Sequence, residues 1–327
     1  MEQIYQCLEK YFKVNIDISL LVYVFSKRCQ LCRTNISLLK IFTTFEVQKN
    51  SFMRVALLDM YEGVENQGMR CIREILNQFA EYNNLELTKD EFDVRRMKAL
   101  PDLSYDIYIS SGGPGSPLDS KGTEWENAFF NWIEKLVTYN NEESNVVKKS
   151  VFFVCHSFQL ACRYFNVAEV SKRKSTAFGV FPIHYLSDAN TEAIFTGLTD
   201  PFYAVDSRDY QVTAPNHNRI KEIGGKILAI EKARPHVPLE RAIMSVRFNE
   251  NMVGTQFHPE ADATGMSMYL QIPARKEIVV KNHGEEKWQS MIDQLGDPDK
   301  ILHTYEHILP NFLKDAVAKL EPVENVY

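Results

Sequence analysis

A chain of 327 residues with 45% hydrophobic content can bury one large core or two modest ones. Its 43 acidic residues outnumber 37 basic ones for a net charge of -6, which leaves no cationic excess to neutralise phosphates and argues against a nucleic-acid partner. Six cysteines, in a chain large enough to fold without covalent staples, fit a reducing cytoplasm better than secretion.

Residues 1–52 contain no Gly, Pro, Ala, His or Trp and so lack turn punctuation. The apolar run 18–25 is far below the ~20 residues that span a bilayer, and no small-residue cleavage site follows it. Neither a membrane anchor nor a signal peptide is expected. Cys29-Gln30-Leu31-Cys32 has the spacing of a zinc knuckle or redox pair, but zinc needs four ligands. Only Cys7 and no histidine accompany the pair in this segment, so these are read as ordinary thiols, and no metal or cofactor is expected. Strand-like sequence begins after Met53. Residues 1–52 are therefore read as an N-terminal extension, either accessory or translated from a misassigned start, followed by a main domain over 53–266 and a helical tail over 267–327.

Within the main domain, strand-like runs at 54–59, 106–110, 151–154 and 252–257 alternate with helical periodicity over 69–82 and 125–139. Such alternation predicts an α/β fold, a mostly parallel sheet flanked by helices. The run 151–154 has no polar residue on either face, as a central parallel strand requires. Between 176 and 250, turns at Pro182, Gly197, Pro201 and Gly224-Gly225 predict an antiparallel extension of the sheet. In the tail, Asp297-Pro298 reads as an N-cap followed by proline at the first helical position, opening a helix to about residue 320 with a break near Pro310.

Three stretches carry chemistry. Cys155 follows the buried run 151–154 and precedes an amphipathic segment, the order of a nucleophile elbow, where a helix N-terminus faces the sulfur and favours thiolate. In Gln256-Phe257-His258-Pro259-Glu260, proline holds His258 extended, and residues i and i+2 of an extended chain share a face. Glu260 can therefore fix the imidazole tautomer that takes a proton from the thiol. The loop Ser110-Ser111-Gly112-Gly113-Pro114-Gly115 follows a strand and offers bare backbone for an oxyanion hole. A pyrophosphate loop of the SGGxDS form is excluded because Gly115 stands at the aspartate position and Pro117 follows soon after.

In this order, these stretches resemble the class I glutamine amidotransferase family over residues 54 to about 262, with the HPE segment and its preceding Gly254-Thr255-Gln256-Phe257 the most specific part. The resemblance implies a flavodoxin-like fold and a cytoplasmic enzyme that releases ammonia from glutamine through a glutamyl thioester, similar to the glutaminase domain of GMP synthase. Carried over by motif, Cys155 is the nucleophile, His258 the base and Glu260 its orienting carboxylate. Backbone N–H groups of Gly113 and His156 form the oxyanion hole; Gly112, Gln159, Ser207 and Arg208 border the substrate. No ATP-binding domain follows, so an ammonia-accepting synthase partner is expected in trans. The family elbow reads G-x-C-x-G-x-Q, whereas Phe153 and Ser157 replace its glycines here. Phe153 is the departure with consequences: a bulky residue at a tight turn crowds the substrate, so either the pocket is reshaped or catalysis is weakened. The same residues also suit an acyltransferase similar to homoserine O-succinyltransferase, a hydrolase of γ-glutamyl compounds, or a catalytically impaired binding subunit.

Overall fold

The computed structural model describes residues 52–320 other than 187, 188, 190 and 235–237. The Cys29–Cys32 pair and the reading of the segment before Phe52 lie outside the described residues. Strand β1 (Phe52–Asp59) sends Val55 and Leu57 into one core cluster and Ala56 and Leu58 into the other, the pattern of a strand covered on both faces. Helix α1 (Gln67–Tyr82) begins where the Asn66 side chain accepts the N–H of Met69, and it buries Ile72, Ile75 and Leu76. Strand β2 (Glu86–Asp93) pairs parallel to β1 at the sheet edge. Its sequence, ELTKDEFD, has no apolar run because an edge strand needs none, which is why the sequence pattern does not display it.

The parallel half continues through β3 (Ile107–Ser110), α2 (Glu124–Asn141), β4 (Ser150–Val154) and α3 (His156–Phe165). Then come β5 (Glu169–Tyr185), β6 (Phe202–Thr213), the short α4 (His217–Glu222), β7 (Lys226–Glu231), β8 (Ile243–Asn249) and β9 (Met252–Thr255). The nine strands are ordered β2-β1-β3-β4-β9-β8-β7-β5-β6. Pairings from β2 to β9 are parallel, and those from β9 to β6 are antiparallel. The expected α/β architecture, with its antiparallel extension, is the observed one. A bridge between Val205 and His258 curls the far end of the sheet back toward β9.

Among the described residues, the α-helices that follow are α5 (Ala263–Gln271), α6 (Pro273–His283), α7 (Glu285–Asp293) and α8 (His303–Ala318). The expected start at Pro298 is corrected, because Lys300 has non-helical angles (φ -109°, ψ -109°) and the regular helix begins at His303. Nor does Pro310 break α8. Proline inside a helix costs about 3 kcal/mol, but Ile308, Leu309, Phe312 and Leu313 are all buried, and each such side chain contributes about 1.5–3 kcal/mol. Packing wins. The Phe312 ring lies edge-on to Phe152 of β4, with centroids 5.1 Å apart. Among the described residues no helix is long and apolar enough to cross a membrane.

Because β1, β3, β4 and β9 are mutually parallel, their carboxyl ends share one edge of the sheet. Met60, Ser111, Cys155 and Gln256 are the residues that immediately follow them.

Candidate active site

Cys155 has φ 48° and ψ -97°, a positive φ that a side chain rarely adopts. Two backbone bonds hold it there: its N–H donates to Thr255 at 2.7 Å, and its carbonyl accepts from Gln159 at 3.0 Å, closing the first turn of α3. Ser157 replaces glycine in the resembled elbow and strengthens the turn. Its hydroxyl accepts the Val154 N–H at 2.9 Å and donates to the Ser110 carbonyl at 2.8 Å.

The crowding expected from Phe153 is corrected. Strand alternation would place residues 153 and 155 on one face, but the elbow turns Cys155 out of that register. Phe153 is fully buried in the opposite core cluster, edge-on to Phe129 and Phe248 at 6.4 and 5.8 Å between ring centroids. Gly254 on the adjacent β9 makes the space, since a Cβ there would lie 2.8 Å from the Phe153 carbonyl oxygen.

His258 is fixed through its N–H, which donates to Val205 at 2.8 Å. Its Nδ1 lies 2.9 Å from Oε1 of the fully buried Glu260, and the Cys155 side chain is a neighbour of the ring. Gly112 closes the same space: a Cβ on it would stand 2.8 Å from Cε1 of His258 and 3.5 Å from Cβ of Cys155. Burial opposes charge on the imidazole, but the Glu260 carboxylate, its hydrogen bond to the ring and the neighbouring Cys155 outweigh it. The His258 pKa is thereby held well above the usual histidine value. Behind Glu260 stands the first turn of α1, where a Cβ on Gly68 would be 3.2 Å from Oε1. The positive end of that helix favours a carboxylate there. Arg70 of α1 grips both oxygens of Asp262 at 2.7 and 2.8 Å, anchoring the segment just after Glu260.

The glycine loop is held by carbonyl contacts. Arg95 donates to Pro114 at 2.6 Å and Arg163 to Pro117 at 2.6 Å, while Arg163 also pairs with buried Glu126 at 2.5 Å. Gly113 is pressed onto β1's end, where a Cβ would lie 2.5 Å from the Met60 carbonyl oxygen. His156, the first residue of α3, has an N–H without an intrahelical acceptor. Its ring is buried, and burial, reinforced by Arg95 and Arg163, lowers its pKa to about 3, so the side chain stays neutral.

The remaining expected residues divide. Gln159 is buried and donates to Gln256 at 3.0 Å, and Gln256 in turn reaches the Cys155 sulfur at 3.6 Å. Ser207 belongs to strand β6, and its carbonyl lies 3.8 Å from the same sulfur. Arg208 is engaged by Asp206 at 2.9 Å and Glu231 at 3.2 Å. Strand alternation sends its side chain to the face opposite that of Ser207. Two neighbours of the thiol had no assigned role from sequence: Gln256, within the HPE stretch itself, and Tyr61, which has no motif. The Tyr61 hydroxyl would be 2.7 Å from a Cβ on Gly68 and 3.3 Å from one on Gly112. Burial, with Glu260 and Cys155, raises its pKa well above the usual phenol, so it remains a neutral donor. Among the described residues no three His, Cys, Asp or Glu side chains converge as a metal site.

A family model described as glutamine amidotransferase class-I matches residues 56–271. Among solved structures, a glutamine amidotransferase from Thermotoga maritima is similar with TM-score 0.59 and 16% identity, covering 81% of this chain and 98% of that one. A glutamine amido transferase from Methylobacillus flagellatus is similar with TM-score 0.54 and 13% identity, covering 85% of this chain and 98% of that one. At such identities the likeness is one of fold. No curated protein matches the sequence.

Proposed function

Because this chain belongs to the class I glutamine amidotransferase family, we propose that it hydrolyses the side-chain amide of glutamine at Cys155 and passes the ammonia to a separate synthase, in the manner of a GMP synthase glutaminase domain. The observation that supports this reading is the 2.9 Å contact between the His258 imidazole and the Glu260 carboxylate, in a space that Cys155 also borders, at the ends of the adjacent strands β4 and β9.

With His258 protonated and Cys155 as thiolate, sulfur attacks the carboxamide carbon. The carbonyl oxygen becomes an oxyanion received by the N–H groups of Gly113 and His156. The carbon–nitrogen bond breaks as His258 gives its proton to the leaving ammonia, which leaves a γ-glutamyl thioester. Water, deprotonated by His258, then attacks the thioester; glutamate departs and the thiolate–imidazolium pair returns. Glu260 keeps the imidazole oriented throughout. Gln159 acts on the sulfur through Gln256, Gly112 leaves room for the amide, and the Ser207 carbonyl offers an acceptor beside it. Arg208 ties β6 to β7 through Glu231.

The test is ammonia release from glutamine by the purified full chain, with Cys155→Ala as control. Mass spectrometry of the trapped intermediate is expected to show a glutamyl adduct on Cys155. A different acyl mass on that residue would reject glutamine and favour the acyltransferase reading.

A further inference from the structure

Away from Cys155, the antiparallel half of the sheet borders a cavity of about 190 Å³ between β5, β6, β7 and β8. Its wall is charged: Arg173, Asp206, Glu231, Lys232 and Arg234 all line it. Behind them lies Arg208, with 1% of its side chain exposed, whose Nε donates to both oxygens of Asp206 at 2.9 Å. Glu231 is shared among Arg208 at 3.2 Å, Arg173 at 3.4 Å and Arg234. The ammonium groups of Lys232 and Lys287 lie 5.1 and 5.5 Å from the centroid of Phe181, another lining residue. Asp209, a further carboxylate beside the wall, accepts from the Thr176 hydroxyl.

Arg173, Arg208, Lys232, Arg234 and Lys287 thus stand against Asp206, Glu231 and Asp209. Cations drawn together out of water repel one another unless anions intervene. That imbalance is visible locally: burial and then Arg208 depress the Arg173 pKa, while burial and then Lys232 depress that of Lys287.

We propose that this cavity binds a small oxyanion, the phosphate or carboxylate head of a metabolite, between Arg173, Lys232 and Arg234. A guanidinium fork matches two oxygens of either group. The volume is below the ~300 Å³ at which pockets begin to enclose drug-sized ligands, so the occupant is a head group or small acid. Binding here does not depend on the reaction at Cys155, so either reading can fail while the other stands.

Calorimetric titration of the full chain with inorganic phosphate, and separately with succinate, tests it against sodium chloride at matched ionic strength. Saturable one-to-one binding of either anion is expected. Phosphate alone saturating identifies a phosphate-bearing ligand, and succinate alone identifies a carboxylate-bearing one. Lys232 and Arg234 are partly exposed, so Lys232→Gln and Arg234→Gln are expected to melt as the wild type does while binding roughly tenfold more weakly. If the neutral variants unfold, Arg234→Lys keeps the charge without the fork and is expected to bind more weakly than wild type. Behaviour of both anions indistinguishable from chloride overturns the proposal. So does undiminished affinity in the folded variants.

Discussion

The hydroxyl of Ser157 spans from the elbow to the neighbouring strand, donating to the Ser110 carbonyl at 2.8 Å while accepting the Val154 N–H at 2.9 Å. A single buried side chain thereby couples the turn that carries the thiol to the strand end that feeds the glycine loop. All three groups are buried, so water cannot replace either bond. Ser157→Ala is expected to cost about 1–3 kcal/mol and to slow glutamine turnover by loosening the loop. Equilibrium denaturation measures the first and ammonia release the second; an unchanged unfolding midpoint would show that the tie carries no stability.

Glu260→Gln should separate orientation from charge. Burial works against the His258 cation, and the carboxylate is the largest influence in its favour, so its removal lowers the imidazole pKa. A thiolate–imidazolium pair is active only while the ring keeps its proton. The alkaline limb of kcat/KM is therefore expected to move to lower pH, with kcat falling roughly 10²–10⁴-fold. In the wild type, the folded pKa lies above the unfolded value of about 6.5. The stability that His258 contributes is complete below that pH and lost as pH rises through the folded pKa. In the variant this alkaline loss should shrink, and an alkaline limb that stays in place would count against Glu260 as the charge partner.

Adjacent glycines should fail differently. A Cβ at position 112 meets side-chain atoms of the reacting groups, 2.8 Å from His258, whereas one at 113 meets the Met60 backbone at 2.5 Å. Gly112→Ala is expected to fold and melt near the wild-type temperature but to lose about 10²-fold in kcat through a displaced imidazole. Gly113→Ala must move backbone, and a cost of roughly 1–3 kcal/mol is expected in denaturant unfolding. Equal stability loss in the two variants would contradict this division.

The last helix belongs to the same core as the sheet. Phe312 contacts Phe152, whose strand leads to Cys155. Phe312→Ala is expected to destabilise the chain by about 3–5 kcal/mol, read as a lower denaturation midpoint in a single transition. Melting of α8 in a separate transition, with the sheet intact, would show that the helix is only docked.

The sequence by itself determined the strand runs of the parallel core and the identities of Cys155, His258 and Glu260 as candidates. The reason is burial: a parallel strand covered on both faces must be apolar throughout, so 151–154 stands out, and the residue after it is placed at the sheet edge. The His258–Glu260 contact was legible for a similar reason, since its geometry is local to an extended chain. Tertiary structure decided what has no local period. The charged edge strand β2, the Tyr61 hydroxyl beside the site and the Gln159–Gln256–Cys155 relay all arise from partners distant in sequence. Whether Phe153 blocks the pocket depended on a φ of 48° at Cys155 and on Gly254 in the next strand. Ser207 and Arg208 are neighbours in sequence, but the alternation of β6 parts them, bringing the Ser207 carbonyl to the thiol and the Arg208 guanidinium into a buried cluster of charge.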